Sequence, residues 1–353
     1  MNRSDIITAG KSALAAQGSW PEWVDTIAVQ RLREAINGFP SHAYLLSGPD
    51  GVGKRELANA FAKAICCLNR ASNGGTDACG NCKSCLAVDR GVHPDVDIFS
   101  LEYQAALTDK PGRGSNLTIE TVRRVRTAAA LLPSLAARRM LIVEDAETLL
   151  EPAQQALLKV LEEPPPAVTI VLLSDESEVL LPTVRSRCQE IPMRPVSDQT
   201  VHQMLAERGV EADLAVEVAM LSMGRPGWAI AAIADPKRLR MRRDQWHAAQ
   251  SWVAASTYER LVTAFRLGDQ FTQRRSEVYA TVQSAVAILR QRMLSATQDL
   301  GGTRTVDPGE IRSAARAISA SLQCLADLEA NVRPRLALEA MVMAWPNPEP
   351  PLN

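Results

Sequence analysis

Aromatic residues are scarce in this sequence, and neither sign of charge is in excess. Phe, Trp and Tyr together make up 4% of the 353 residues, and many Ala and Leu take their place, which predicts a largely helical chain. The 39 basic and 40 acidic residues leave a formal net charge of −1. Nothing in the overall charge therefore demands a nucleic acid or a membrane as a partner, although a local basic face is compatible with this balance.

Long apolar runs and an export signal are also missing from the sequence. No stretch of about 18 apolar residues occurs, which predicts no transmembrane helix. No basic region followed by an apolar run opens the chain, which predicts no signal peptide. We therefore expect a cytoplasmic protein without a membrane partner. The seven cysteines are odd in number, and without an export signal they argue against a disulfide framework.

Five short apolar runs alternate with helical patterns in the first part of the chain. The predicted strands are 43–48, 95–101, 139–145, 168–174 and 189–193. Helical patterns precede or separate them at 29–36, 56–68, 119–132 and 152–161. Strands that alternate with helices predict a parallel five-stranded sheet with helices on both faces. The predicted α/β domain ends at Pro195.

The rest of the chain has no convincing strand and is predicted to be helical. Ser197 is a predicted N-cap, residues 235–238 are a candidate linker, and the helical pattern of 242–345 is interrupted at Gly301–Gly302. Residues 1–24 read as a loosely specified leader, and we expect the proline-rich end of the chain, 346–353, to be disordered.

The stretch GPDGVGK at 48–54 lies between the first predicted strand and a helix, which is the context of a phosphate-binding loop. In such a loop the glycines let backbone N–H groups face phosphate oxygens and the lysine adds a positive charge; the candidate residues are Gly48, Gly51, Gly53 and Lys54. The next residue should carry a hydroxyl that ligates Mg²⁺. Here it is Arg55, whose guanidinium only donates hydrogen bonds. Either the loop binds nucleotide poorly, or it is a structural relic.

A pair of acidic residues follows the third predicted strand, where a P-loop ATPase carries Asp-Glu. The Asp orders Mg²⁺ and the Glu polarises the attacking water, but this chain has the inverted pair Glu144-Asp145. Each carboxylate is then displaced by about one methylene, and a misplacement near 1 Å can cost on the order of a hundredfold in rate. The alternative is an ordinary acidic cap at a strand end.

Three cysteines, Cys79, Cys82 and Cys85, fall within seven residues at a spacing that suits tetrahedral Zn²⁺. Cys66 or Cys67, at the end of the preceding helix, is the obvious fourth ligand. His93 is a weaker candidate, because it lies beyond a tight loop, and a set of reduced thiols is the alternative to a metal site. A site with four cysteines has no open position, so it is predicted to be structural.

An arginine-rich loop precedes the fifth predicted strand and contains Ser186-Arg187-Cys188. An arginine can stabilise the charge on a transferring γ-phosphate when a neighbouring subunit supplies it in trans. On chemistry alone, a solvated surface arginine is the favoured interpretation.

The helix ALLKVLEEPPP at 156–166 must end before Pro164. It presents Glu162 and Glu163 there, and its chemistry indicates only a helix terminator.

Taken in order, these stretches resemble one known family. From about Val29 to Leu338, the chain resembles the delta-prime family of bacterial DNA polymerase III clamp-loader subunits. The stretches that carry the resemblance are HAYLLSGPDGVGK, the cysteine group, HPDVD, ALLKVLEEPP, TVRSRC and NVRPRLALE. The resemblance implies an AAA+ P-loop domain over 1–195 with a zinc-binding insertion at 66–85. It also implies a helical lid over 196–238 and a helical collar, which joins a ring of five subunits, over 239–353.

The resemblance also implies roles for single residues. The chain departs from the ATPase members of the family at three places. These are Arg55, the inverted acidic pair, and Gly227, which stands where the lid's sensor arginine is expected. They imply a non-hydrolysing stator with weak or absent ATP binding, and they make Arg187 the arginine finger inserted into a neighbour's site. The implied metal ligands are Cys67, Cys79, Cys82 and Cys85.

The partners implied by the family are the gamma/tau ATPase subunits and the delta subunit, with the sliding clamp and primer-template DNA reached through the assembly. Two rival interpretations remain open. One is an active clamp-loader ATPase of the gamma/tau type, which would turn over Mg²⁺-ATP. The other is a zinc-containing nucleic-acid binder that uses RRVR at 123–126 and binds DNA in a salt-sensitive way.

Overall fold

The computed structural model of this protein describes residues 20–38, 40–70, 75–107, 116–298 and 308–346. The predicted leader 1–24 lies outside them only up to residue 19, and its end is not loosely specified, because Trp20 and Val24 are buried in a core cluster. The predicted break at Gly301–Gly302 and the predicted tail after Pro346 also lie outside the described residues. The chain divides into two compact units, Met1–Ala231 and Ala232–Asn353. The finer division into three domains stays a prediction.

The first unit contains the expected sheet of five parallel strands. The strands are β1 (Ala43–Ser47), β2 (Val96–Phe99), β3 (Arg139–Val143), β4 (Val168–Ser174) and β5 (Gln189–Pro192). Their order across the sheet is β2-β3-β4-β1-β5, and every neighbouring pair is parallel. Strands β1, β3 and β4 are buried along their whole length, as expected of a sheet covered on both faces.

Ten α-helices belong wholly or mainly to the described part of the first unit. They are α1 (Thr26–Asn37), α2 (Lys54–Cys66), α3 (Lys83–Asp89), α4 (Leu101–Leu107), α5 (Ile119–Ala129), α6 (Glu151–Glu162), α7 (Pro182–Arg185), α8 (Asp198–Glu207), α9 (Ala212–Ser222) and α10 (Pro226–Ala234). The predicted N-cap at Ser197 is present, since its side chain accepts the backbone N–H of Thr200.

Alternation along the strands sends successive side chains to opposite faces of the sheet and so builds two cores. On one face Tyr44 and Leu46 pack in a cluster with residues of α1 and α2. On the other face Ala43 and Leu45 pack in a cluster with residues of α5 and α6. The sheet is thus the middle layer of three, which matches the predicted α/β arrangement.

The second unit contains helices and no strand among its described residues. Its helices are α11 (Pro236–Ala254), α12 (Thr257–Gln270), α13 (Arg275–Gln298), α14 (Pro308–Glu329) and α15 (Pro334–Met343). Helix α11 packs on α13, α12 on α15, and α14 on both α13 and α15. In the part of the chain that the structure covers, no helix is both long and apolar enough to cross a bilayer.

Candidate functional site

The two edges of the sheet carry different candidate groups, because all five strands run in the same direction. At the carboxyl edge, Gly48 follows β1, Glu144 follows β3 and Asp175 follows β4, and these three strands are neighbours in the sheet. At the opposite edge, Arg187 lies between α7 and β5. The fold therefore brings the phosphate loop together with residues from the ends of β3 and β4.

The loop itself has the backbone that the motif requires. Gly48, Gly51 and Gly53 all have positive φ, and the left-handed Gly53 directly precedes α2. At Gly51 a Cβ would lie 2.8 Å from the backbone nitrogen of Trp228, at the start of α10. Glycine is thus required at this position by the close approach of α10 as well as by its own φ of 80°.

The start of α10 is hydrogen-bonded to the loop. The carbonyl of Gly51 accepts the backbone N–H groups of Gly227 at 2.8 Å and of Trp228 at 3.3 Å. N–H groups in the first turn of a helix have no partner within the helix, so this carbonyl satisfies two of them. A Cβ at Gly227 would lie 3.0 Å from the Gly51 carbonyl oxygen. Gly227 therefore serves close packing on the loop.

Lys54, the loop lysine, is held by groups of the chain itself. Its Nζ donates to the Asp175 carboxylate at 2.6 Å and to the Pro49 carbonyl at 3.0 Å, and also to the Gly48 carbonyl. The lysine side chain is only 9% exposed. The charge that a phosphate loop offers to phosphate oxygens is thus already neutralised by a carboxylate.

Arg55, the residue in place of the Mg²⁺-ligating hydroxyl, forms a bidentate ion pair with Glu144. Its Nε donates to one carboxylate oxygen of Glu144 at 2.6 Å and its Nη2 donates to the other. Burial raises the pKa of Glu144 because it disfavours the charged carboxylate, and the nearby guanidinium opposes this shift. Burial alone would lower the pKa of Arg55, but the pair with Glu144 raises it. The Arg55 guanidinium therefore remains charged and paired with the Glu144 carboxylate.

Asp145, the second member of the inverted pair, is directed elsewhere. Its backbone is left-handed, with φ 55°, and its carboxylate accepts the backbone N–H of Leu101 at 3.2 Å. The side chain therefore binds the first residue of α4. Of the two acidic residues singled out in the sequence, Glu144 thus pairs with Arg55 of the phosphate loop. Asp145 instead accepts a hydrogen bond from the start of α4.

The four predicted ligand cysteines lie together at one end of α2. The Sγ atoms of Cys67, Cys79, Cys82 and Cys85 all lie within 4.8 Å of one another. Four thiolates around a tetrahedral ion with bonds near 2.3 Å lie about 3.8 Å apart. Backbone N–H groups point at the sulfurs of Cys67, Cys79 and Cys82, and the group can hold a metal ion.

Two further candidates for the fourth ligand are engaged outside this cluster. The Cys66 sulfur faces the Arg138 carbonyl, and burial raises the pKa of its thiol to about 12. The His93 ring is hydrogen-bonded through Nε2 to the Ser84 hydroxyl at 2.8 Å, and its Nδ1 accepts the backbone N–H of Asp95. Cys67, and neither Cys66 nor His93, completes the four-cysteine group.

Arg187 is tethered at the opposite edge of the sheet. Its Nη1 donates to the Thr183 carbonyl at 2.9 Å, and its Nη2 lies 2.7 Å from a carboxylate oxygen of Glu162. The arginine side chain remains 35% exposed. Strand β5 begins opposite Tyr44, near the amino end of β1, whereas the phosphate loop follows the carboxyl end of β1. Arg187 and the loop are thus separated by about the length of β1, roughly 16 Å.

Sequence reasoning missed three partners in these networks, namely Asp175, Glu162 in its pairing role, and Asp95. The Asp95 carboxylate is fully buried and accepts the backbone N–H groups of Ser134, Leu135 and Ala136 at 2.6–2.7 Å. The signal for Asp175 was its place directly after a buried strand that neighbours β1, where it had to meet the loop.

The sequence matches one protein family and several known proteins. The family described as "DNA polymerase III, delta subunit" matches residues 25–197. The DNA polymerase III subunit delta′ of Pseudomonas aeruginosa is 36% identical over 190 residues, which are 53% of this chain and 54% of that protein. Subunit gamma/tau of Mycobacterium tuberculosis is 30% identical over 188 residues, which are 52% of this chain and 30% of that one.

Among solved structures, a DNA polymerase III gamma subunit-related protein of Thermotoga maritima aligns over 90% of this chain and 97% of its own, with 16% identity and a TM-score of 0.37. The chain spans about half the length of the curated delta-prime relatives that it matches first. The family match and the delta-prime relatives agree with the motifs, and residues 25–197 of the chain belong to the delta-prime family of DNA polymerase III clamp-loader subunits.

Proposed function

We propose that this chain is a non-hydrolysing subunit of the DNA polymerase III clamp loader, and that it acts as a stator during loading of the sliding clamp in DNA replication. The observation that carries this proposal is the pair of ion pairs at the phosphate loop. Lys54 is bound to Asp175, and Arg55 is bound to Glu144. ATP would have to displace the first pair to reach the lysine, and Mg²⁺ would meet a guanidinium instead of a hydroxyl.

Electrostatics make both displacements unfavourable. A phosphate brought to Lys54 would lie beside the Asp175 carboxylate, and two like charges at such short range repel each other. Breaking the pair of Arg55 with Glu144 would leave a buried carboxylate without its cation, which costs several kcal/mol. The loop is therefore interpreted as a structural element that fixes the start of α2 and the approach of α10, with weak or absent ATP binding.

The same proposal assigns Arg187 a role on another subunit. Because Arg187 lies at the edge of the sheet opposite the chain's own loop, it cannot serve that loop. It is exposed enough to reach a neighbouring molecule, and a guanidinium suits phosphate because its planar fork can hold two oxygens. We propose that it is an arginine finger for the ATP site of an adjacent gamma/tau subunit.

The four-cysteine group is proposed to hold one structural Zn²⁺. Its ligands would be Cys67, Cys79, Cys82 and Cys85, and a set of four thiolates leaves no open coordination position for chemistry. When bound, the ion would join the end of α2 to the start of α3 and hold the insertion in one conformation. The proposed partners are the gamma/tau and delta subunits, and through them the clamp and primer-template DNA.

The rival function is that of an active ATPase of the gamma/tau type, because the chain is also similar to a gamma/tau subunit. The purified chain, assayed with Mg²⁺-ATP at millimolar concentration, tests the two against each other. We expect no turnover above background and no saturable nucleotide binding in the micromolar range. Sustained turnover that is lost in Lys54→Ala would replace the stator by a motor. Co-purification with gamma/tau and delta tests the proposed assembly separately.

A further inference from the structure

The end of α6 places a carboxylate beside the proposed arginine finger. Helix α6 ends at Glu162, since Glu163 precedes three consecutive prolines that cannot continue it. One carboxylate oxygen of Glu162 lies 2.7 Å from Nη2 of Arg187. The prolines that end α6 therefore also fix the position of Glu162 next to Arg187.

The guanidinium is held from two sides. The turn α7 offers the Thr183 carbonyl to Nη1, while α6 offers Glu162 to Nη2. A guanidinium has five N–H groups in a planar fork. Because Nη1 also contacts the Ser186 hydroxyl at 3.5 Å, Nε–H and one N–H of Nη2 are left for a phosphate. Lys54 has partners within the chain for all three of its N–H groups, whereas Arg187 keeps N–H groups for an oxyanion while its direction is fixed.

The ion pair of Glu162 with Arg187 contributes little to folding. The side chains are 48% and 35% exposed, and pairs exposed to this degree are weakened by solvent and salt. What the pair does change is the freedom of the arginine. A long side chain that is already oriented loses less conformational entropy when it meets its phosphate, which is the benefit of preorganisation.

We propose that Glu162 is a positioning residue for Arg187: its carboxylate orients the guanidinium towards the neighbouring subunit's ATP. This inference rests on the proposed trans role of Arg187. The contact is an ion pair, so the negative charge is the property that matters, and Glu162→Gln, which removes that charge at nearly the same size, should weaken the function. Glu162→Ala should lose it. If the carboxylate instead restrained the finger, both substitutions would release it.

The test is a clamp loader reconstituted from all its subunits and assayed for ATPase stimulated by clamp and primer-template DNA. Glu162→Ala should lower kcat at the adjoining site roughly three- to tenfold, the factor expected for ordering one flexible side chain. KM for ATP and the thermal stability of the complex should not change. Glu162→Gln should lower kcat by a similar factor, because it removes the same charge. Glu163→Ala, which removes the same charge one residue later, is the matched control and should have no effect.

A double variant separates the positioning role from the finger itself. In a background of Arg187→Ala, adding Glu162→Ala should cause no further loss, because the group that it orients is gone. If Arg187→Ala lowers the rate but Glu162→Ala does not, the positioning role is wrong and the finger stands. Faster turnover with both Glu162→Ala and Glu162→Gln would also overturn it. If Arg187→Ala itself has no effect, the trans role fails and this inference fails with it.

Discussion

Replacing Arg55 by alanine should destabilise the α/β unit because of the carboxylate that it leaves behind. The Glu144 side chain is 6% exposed, whereas the Arg55 side chain is 47% exposed. Removing one partner of a fully buried ion pair costs about 3–5 kcal/mol. Water can enter the space of a half-exposed guanidinium, so we expect a loss of about 2–3 kcal/mol in the free energy of unfolding at pH 8.

The reciprocal substitution is the control. Glu144→Gln leaves only a half-exposed guanidinium, which water solvates, so its cost should be about 1 kcal/mol or less. Combining Arg55→Ala with Glu144→Gln should recover most of the loss, since no buried charge remains. Urea denaturation followed by circular dichroism, on the four proteins in one buffer, measures all three differences.

The pH dependence of the Arg55→Ala variant provides a second test. Burial raises the pKa of Glu144 above its usual 4.5, and removal of Arg55, which opposes the shift, should raise it further. A carboxyl with a raised folded pKa contributes stability below its unfolded pKa, and that stability is lost as the pH rises through the folded pKa. The deficit should therefore be smaller at pH 5 than at pH 8. Equal costs for Arg55→Ala and Glu144→Gln, or a deficit independent of pH, would refute this reasoning.

The remaining predictions concern the cysteine group and Asp95. Protein purified without chelator should contain about one zinc per chain. Cys82→Ser should lose it, whereas the control Cys66→Ser, whose sulfur lies outside the cluster, should keep it. Three backbone N–H groups outweigh burial and lower the pKa of Asp95, so its contribution to stability is present above pH 3.8 and is lost as the pH falls through the folded pKa. Asp95→Asn should cost about 2–3 kcal/mol at pH 7, and urea denaturation should show the difference from the unmodified protein shrinking below pH 3.8.

Much of the first unit follows from the sequence because its strands are short apolar runs between glycines, prolines and helical patterns. The run 168–174 matches β4 in full, and 43–48 exceeds β1 by one residue. The run 95–101 extends past β2 because Leu101, the first residue of α4, is apolar too. An apolar run alone does not distinguish the last residue of a strand from the first residue of a helix.

The pairings inside the loop were harder to predict than its residues. Arg55 and Glu144 were each recognised as departures from an ATPase, but nothing local in the sequence joins two residues 89 positions apart. The topology does join them, because β1 and β3 both flank β4 and the residues that follow these parallel strands lie at the same edge of the sheet. The same argument applies to Asp175, and it needs the strand order, which a single sequence does not contain.

The contact of Glu162 with Arg187 was beyond sequence reasoning for a different reason. It depends on the exact end of α6 and on the short turn α7, and a shift of one residue in either would point the side chains apart. The prolines after Glu163 predicted where the helix had to stop. They could not predict which neighbouring turn would face that end.

Arg187→Ala in the reconstituted loader tests the central claim most directly. The isolated chain should keep its fold and the complex should assemble, because α11–α15 and not one exposed arginine are expected to hold the ring. The measurement is clamp- and DNA-stimulated ATP hydrolysis at the adjoining site, with Arg185→Ala, two residues away, as the control. An arginine finger contributes about 10³ to 10⁵ in rate, so hydrolysis at that site should nearly vanish, and Arg187→Lys should restore little of it. An unchanged rate in a fully assembled complex would contradict the account.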